Sequence, residues 1–386
     1  MSEIDRITEI KDRAGTGAPN FTFGVNFAGS DSGINPHTHT ESANEPSSPN
    51  NGDTWWDSDN NIYKVYMDSA WKDWLGTSSP AAHNNARTFV AAGVAASGGS
   101  YAQVNQIQYF STASAGNASD FGDTLSVLYR AGALSDGAGG RGLIFGGGWS
   151  PVTNQIQYIT VANTGNATDF GDLTNGSRTI LGGCSDGTIG VMLAGNAGGS
   201  GSTQSDARVM DRVTVQTAAN STDHGNLVSD TFSSWSSTSC AGTARGLHVS
   251  TTTPSGGSAY SQIEYFDITT ASNAANFGTL STGNYGAAGV SDATRSVFGG
   301  NSGSGDNLEY VTPATLGNST SFGDLTSNRN YIGGSDNLTY GFFSGGELST
   351  GAKSDVIDHI TIQTAANATD WGDLATGVEA PATSAA

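Results

Sequence analysis

His37-Thr38-His39 sets two imidazoles two residues apart, on one face of an extended segment. Three chains meeting on an axis would bring those rings together and could hold one metal ion. The stretch around them is polar and rich in Ser, Asn and Pro, and a linker accounts for the pair more simply. Asp57-Ser58-Asp59-Asn60-Asn61 opens with calcium-loop spacing, but Ile62 stands where such a loop needs Gly and the distal Glu is missing. A hairpin turn is the reading retained. A Ser-Asp pair recurs at Ser135-Asp136, Ser185-Asp186, Ser291-Asp292 and Ser335-Asp336. A ring of such carboxylates could attract a cation, yet an Asx-turn at a strand junction explains every copy. Arg130, Arg178, Arg295 and Arg329 are expected to tie neighbouring strands rather than to bind substrate.

Nucleophile, base and orienting group do not converge anywhere in the pattern. His83, His224, His248 and His359 fall at unrelated points, and the runs Gly146-Gly147-Gly148 and Gly198-Gly199 lack the Lys and helix of a phosphate loop. The chain is therefore expected not to be an enzyme, with no catalytic residue, cofactor or metal site assigned.

Composition narrows the class. Of 386 residues, 54 are Gly and only 13% are charged, which suits short strands joined by tight turns. The net charge of −20 argues against nucleic acid and anionic membranes as partners. Apolar runs fall short of a membrane span, and Met1-Ser2-Glu3-Ile4-Asp5 does not resemble a secretory signal, so cytoplasmic synthesis is expected. Cys184 and Cys240 read as small buried thiols. Asn-X-Ser/Thr occurs at Asn20, Asn117, Asn166, Asn220, Asn318 and Asn367, and is read as turn chemistry.

The elements that must position these residues are written in a repeat. One phrase returns six times: Asp120-Phe121-Gly122-Asp123, Asp169-Phe170-Gly171-Asp172, Asp223-His224-Gly225-Asn226, Asn276-Phe277-Gly278-Thr279, Ser321-Phe322-Gly323-Asp324 and Asp370-Trp371-Gly372-Asp373. A period of roughly 50 residues signals a repeat architecture. In the last copy, Arg329 to Gly334 reads as a first strand ended by a turn at Ser335-Asp336-Asn337. Tyr340 to Gly346 follows as a second strand, Val356 to Ile362 as a third, and Ala368 to Leu374 as a fourth. The third strand recurs as Gln106-Ile107-Gln108-Tyr109, Gln155-Ile156-Gln157-Tyr158, Gln262-Ile263-Glu264-Tyr265 and Asn307-Leu308-Glu309-Tyr310. In the third copy, Arg212-Val213-Thr214-Val215 fills that slot.

Four short strands per repeat, with a glycine pair and one aromatic, is the pattern of a propeller blade. The arrangement resembles a degenerate kelch repeat, with Arg329, Gly345-Gly346, His359 near the Tyr slot, and Trp371 in the last copy. The fold expected is all-β: a six-bladed kelch-like β-propeller over residues 80–386, preceded by an extended N-terminal anchor and a small Trp-rich β module. The tail from Ala375 is expected to supply the missing first strand of the opening blade, which would leave no free edge at the junction.

Residues 1–50 read as an extended peptide and linker, with a short helical candidate from Ile4 to Asp12. Residues 51–76 read as a hairpin module carrying four tryptophans, Trp55, Trp56, Trp71 and Trp74. Pro46 to Trp74, with Asn51-Gly52-Asp53-Thr54-Trp55-Trp56-Asp57, Tyr63-Lys64-Val65-Tyr66 and Ser69-Ala70-Trp71, resembles a module of bacteriophage tail fibres and other virion proteins. Ile10 to Phe21, and the repeated Asn-Ala-Thr-Asp-Phe-Gly-Asp, are similar to structural proteins of marine and cyanobacterial phages. The resemblance implies a virion tail fibre or fibre-like appendage made in the host cytoplasm. It would contact other virion proteins through residues 1–50 and a host glycan or receptor through the propeller. A trimer is a further implication, and with it the metal at His37 and His39. The alternatives are a purely structural head- or tail-surface protein and, third, a glycan-degrading propeller.

Overall fold

The computed structural model describes residues 39–73 and 87–385 with short interruptions, the longest at 196–207, 229–236 and 250–259. The helical candidate at Ile4 to Asp12 lies outside the described residues, which contain no α-helix. Two compact units divide the chain, Met1–Ser79 and Pro80–Ala386.

The first unit is one sheet in the order β1 (His39–Ser42), β2 (Thr54–Asp57), β3 (Ile62–Met67) and β4 (Ala70–Asp73). Strand β1 lies in the stretch read from composition as linker; it pairs parallel to β2 while the other pairs are antiparallel. Trp55 is buried edge-on to Trp71 at 5.6 Å, and Trp71 meets Tyr66 at 5.4 Å. Trp55 Nε1 donates to the Ser42 carbonyl at 2.9 Å, which ties β1 to β2 through a side chain. In the Asn-Gly-Asp turn, the Asp53 carboxylate accepts the Asn50 amide at 2.8 Å. Aromatic packing of this kind lets a sheet too small for a conventional core hold together.

The second unit is a six-bladed propeller. Blade 1 contains β31 (Ala382–Ala385), β5 (Arg87–Ser97), β6 (Ser100–Ser111) and β7 (Ser119–Leu128). Blade 2 contains β8 (Gly132–Ser135), β9 (Arg141–Phe145), β10 (Gln155–Thr160) and β11 (Thr168–Asp172), and blade 3 contains β12 (Gly182–Ser185), β13 (Ile189–Leu193), β14 (Val209–Thr214) and β15 (Thr222–Asn226). Blade 4 contains β16 (Ser237–Ala241), β17 (Arg245–Val249), β18 (Tyr260–Asp267) and β19 (Ala275–Asn284). Blade 5 contains β20 (Ala288–Ser291), β21 (Ser296–Gly299), β22 (Asn307–Val311) and β23 (Thr320–Asp324), and blade 6 contains β25 (Gly333–Asp336), β26 (Tyr340–Ser344), β28 (Val356–Thr361) and β29 (Thr369–Asp373). Every blade is antiparallel throughout, and the first strands touch one another in a closed ring. The C-terminal strand β31 pairs with β5, so the first strand of blade 1 comes from the far end of the chain.

Burial explains why these segments form strands. The second strand of each blade is sandwiched between two neighbours, and Leu143, Ile144 and Phe145 are all fully buried. The core lies between blades: Leu134, Leu143, Phe145, Ile156 and Phe170 of blade 2 pack with Met192, Val213 and Val215 of blade 3. First strands are instead small and glycine-rich, because a Cβ at Gly183 would overlap the Ala133 carbonyl of the neighbouring first strand. They surround a central cavity of roughly 80 Å³.

The sixfold phrase is the fourth strand and the joint to the next blade. Its aromatic is buried, and at Gly171, with φ of 151°, an added Cβ would overlap the Ala219 carbonyl of blade 3. Two residues past the aromatic, the backbone amide donates to an Asn side chain of the next blade. Asp123 bonds Asn166, Asp172 bonds Asn220, Asn226 bonds Asn273, Thr279 bonds Asn318, Asp324 bonds Asn367 and Asp373 bonds Asn117, all at 3.0–3.2 Å. The repeated Asn is thus a joint between blades, a role beyond the turn chemistry expected of it. A second joint uses the third strand. Gln157 accepts the Leu125 amide, Glu264 that of Val228, Glu309 that of Ser281, Asp358 that of Thr326 and Gln108 that of Thr376, at 2.8–3.1 Å.

Strand register corrects three details of the expected frame. In blade 6 the first strand is β25, and Arg329–Asn330 (β24) pairs instead with Glu347–Leu348 (β27). In blade 3 the cross-strand pair Arg212 and Thr222 matches Tyr158 and Thr168 of blade 2, so Arg212 occupies the Tyr slot and Val209 begins the strand. The Ser-Asp pair slips by one in blade 6. Asp136, Asp186 and Asp292 accept the turn amides before the second strand, whereas in blade 6 Asn337 does so and Asp336 lies within β25.

Candidate functional site

Strand alternation puts two kinds of connection at opposite ends of the ring. The connections from third to fourth strand, 112–118, 161–167, 215–221, 268–274 and 362–368, are equal in length, and 312–319 is one residue longer. They expose small uncharged residues, as in Ala162-Asn163-Thr164-Gly165-Asn166. The connections from second to third strand, at the other end, are 98–99, 146–154, 194–208, 250–259, 300–306 and 345–355. Their lengths run from two to fifteen residues on blades of one design. The scaffold does not require that spread, and loops free of scaffold duty are where recognition surfaces form.

At this unequal end the second joint pins the backbone late in the fourth strand or just past it, in five of the six blades among the described residues. Leu125 and Val228, held by Gln157 and Glu264, are left about half exposed, and Val127 and Tyr101 are exposed as well. The chain thus shows a few apolar tips on a polar rim.

Here too lies a cluster of ionisable groups that the repeats do not share. Tyr129 Oη donates to Glu379 Oε1 at 2.8 Å. Lys353 Nζ donates to the other Glu379 oxygen and, at 3.0 Å, to Glu347 Oε1. Its ammonium is 4.2 Å from the ring centre of Tyr101, whose hydroxyl donates to the Gly351 carbonyl at 2.7 Å. The Arg130 guanidinium lies 4.4 Å over the Tyr129 ring. Glu379 sits on β30 (Val378–Glu379), which pairs with β5 just before the closing strand, so the cluster clamps the place where the ring closes.

The electrostatics suit a clamp. Burial pushes the Tyr129 phenol well above its ordinary value, and the Glu379 carboxylate pushes it the same way against Arg130. Burial would lower Lys353, but the hydrogen bonds and charges of Glu379 and Glu347 outweigh it and raise the amine. Each carboxylate faces an ammonium, and the phenol keeps its proton. Sequence reasoning missed this cluster because its members share no motif and come from segments up to 250 residues apart.

Other expected residues scatter. His37 lies outside the described residues, and His39 is described only as backbone of β1. Asp57 ends β2, while residues 58–61 lie outside the described residues. Among the described residues no group of His, Cys, Asp and Glu is arranged to hold a metal ion. Arg295 donates to the Ile362 carbonyl of the next blade at 3.1 Å, as expected of a strand tie. Arg178 and Arg329 are fully buried and ion-paired with Asp211 and Asp358. Cys184 is buried and not in a disulfide; the Cys240 side chain lies outside the described residues. The histidines stay apart: burial pulls His248 down to about 4 and lowers His224, while His359 meets Trp371 edge-on at 4.6 Å. No family model matches the chain, and no curated protein matches it.

Proposed function

We propose that this chain is a structural protein of a bacteriophage virion, a tail fibre or fibre-like appendage whose N-terminus anchors it and whose propeller recognises the host surface. The observation that carries the recognition part is the contrast between the ends of the ring. One end repeats a single loop design, while the other bears loops of unequal length around a repeated joint. The virion part draws on the phrase resemblance of Pro46 to Trp74 and of Ile10 to Phe21. A binding role without catalysis fits a seam cluster whose charges neutralise one another and whose phenol is held protonated.

Two measurements test the reading. Antibody raised to the propeller should label purified phage particles in electron micrographs, and full-length labelled protein should adsorb to host cells and slow particle adsorption. Labelled particles without cell binding would favour the purely structural alternative. Release of reducing ends from host polysaccharide would overturn the non-enzymatic part.

A further inference from the structure

Blade 3 lacks a stack that the other blades share. In blades 1, 2, 4 and 5 an Arg at or near the start of the second strand lies over the third-strand Tyr, with guanidinium carbons 4.3–4.7 Å from the ring centres. That Tyr in turn meets the fourth-strand Phe at 5.8–6.3 Å. Blade 6 keeps a stack with Tyr340, His359 and Trp371. Blade 3 has Ile189, Arg212 and His224 at these places, and a groove of roughly 250 Å³ runs between Arg212 and the turn into the fourth strand.

The groove is rich in donors. Arg212 lines it with Thr214, Thr217, Asn220 and Thr222. The other stacking arginines spend their guanidinium on carbonyls of the next blade, as Arg141 does on Val215. The Arg212 side chain makes neither a hydrogen bond nor an ion pair among the described residues, although Asp223 lies near enough to act on the same histidine. The Asn220 oxygen is taken by the Asp172 amide, so its NH₂ remains to donate. On the fourth strand, the His224 Nε2 bonds the Asp267 carbonyl at 2.8 Å, and its Nδ1 is buried without a hydrogen-bond partner.

We propose that this flank of blade 3 binds an acidic group of a host-surface polysaccharide, a carboxylate or sulfate on Arg212, with sugar hydroxyls on the threonines. The inference rests on the host-recognition reading and adds a ligand class to it, at the evenly looped side of blade 3 rather than at the end with unequal loops. A guanidinium offers paired N–H donors matched to two anionic oxygens. One Arg in a neutral hydroxyl-lined groove suits a sugar chain with separated acidic groups. The net charge of −20 disfavours dense polyanions, although at physiological salt that field is screened beyond about 8 Å.

The test uses the full-length protein on immobilised dextran, hyaluronan and kappa-carrageenan, which are neutral, carboxylated once per disaccharide and sulfated once per disaccharide. Binding to hyaluronan or kappa-carrageenan well above dextran is expected, and Arg212→Gln should weaken it about tenfold while shifting Tm by no more than about 2 °C. The preferred acidic polymer identifies the group. Equal binding to all three polymers, binding to none, or an Arg212→Gln protein that binds like the parent would overturn the proposal. Host-cell adsorption measured alongside separates the two readings: an Arg212→Gln protein that still adsorbs and still binds the acidic polymer sinks the groove alone, whereas a parent that never adsorbs sinks host recognition.

Discussion

Asn166 shows how a residue of unremarkable type becomes a fastener. Its side-chain oxygen holds the Asp123 amide of the preceding blade at 3.0 Å on an exposed rim. Replacing it with Ala removes one bond where water can substitute, so a cost of about 1 kcal/mol is expected, read as a Tm lower by about 2 °C. Gly171→Ala should do far more, because the Ala219 backbone occupies the space a methyl needs and the φ of 151° suits only Gly. About 3 kcal/mol is expected, visible in a denaturant titration. Asp336 adds a pH dependence. Burial pushes its carboxyl up to about 7, against hydrogen bonds from the Ser291 and Leu338 amides and with Asp292 pushing the same way. A raised acid binds its proton more tightly folded than unfolded. Its contribution therefore becomes less favourable as pH rises from the ordinary 3.8 through about 7, and stays so above. Asp336→Asn, which keeps an acceptor without the charge, should melt higher than the parent at pH 8, with the gain shrinking towards pH 4.

At the scale of strands, the buried ion pairs show a compensated exchange within the repeat. Four residues before the first strand, and at the third-strand polar slot, blades 3 and 6 have Arg178 with Asp211 and Arg329 with Asp358. Blade 2 has Leu128 and Gln157 there, both buried and neutral. The charged pair is thus one of two solutions to one packing problem, and a buried pair is frequently replaceable as a whole but not by halves. Arg329→Leu or Asp358→Gln alone should cost about 3–5 kcal/mol, since each strands the other partner, while the double variant should recover most of the loss. Singles that simply add would show that the two side chains do not act as a unit. The third and fourth strands were legible in the sequence because alternation and the buried aromatic survive in nearly every copy. First strands were not: Gly333-Gly334-Ser335-Asp336 has little strand propensity, and only the close approach of the neighbouring strand explains its glycines. The preceding Arg329 to Ile332 reads more like a strand, which displaced the expected frame. Blade 3 misled in the same way, because Val213 and Val215 draw the eye past Arg212.

The ring as a whole repeats in threes. Among the described residues blades 3 and 6 alone carry the Arg–Asp pair, and in both a ring nitrogen bonds the next blade, His224 to Asp267 and Trp371 to Ser111. Both also send a Gln back to the turn Asp of the preceding blade, Gln216 to Asp136 and Gln363 to Asp292. Blades 1 and 4 alone have two register shifts between their third and fourth strands. The phrase interval hides this larger period, and the binding groove sits where it breaks, since blade 6 keeps the stack that blade 3 has lost. Among the described residues the Asn joint runs through all six junctions and the third-strand joint through five, so the ring is expected to unfold as one cooperative unit. Strand β31 is the test of that expectation. Its four residues pair with β5, Ser135 donates to the Ala385 carbonyl, and Thr383 donates to the Gly334 carbonyl at 2.8 Å, which joins blades 1, 2 and 6 at one point. Deleting residues 382–386 leaves the β5 edge open and removes all three ties, although the truncated chain keeps every other joint. If the ring is one unit, Tm falls by about 10 °C or more and the calorimetric transition moves as a whole. If blades are independently stable, only blade 1 softens and the main transition stays where it was, and a closed ring would not be what holds this fold.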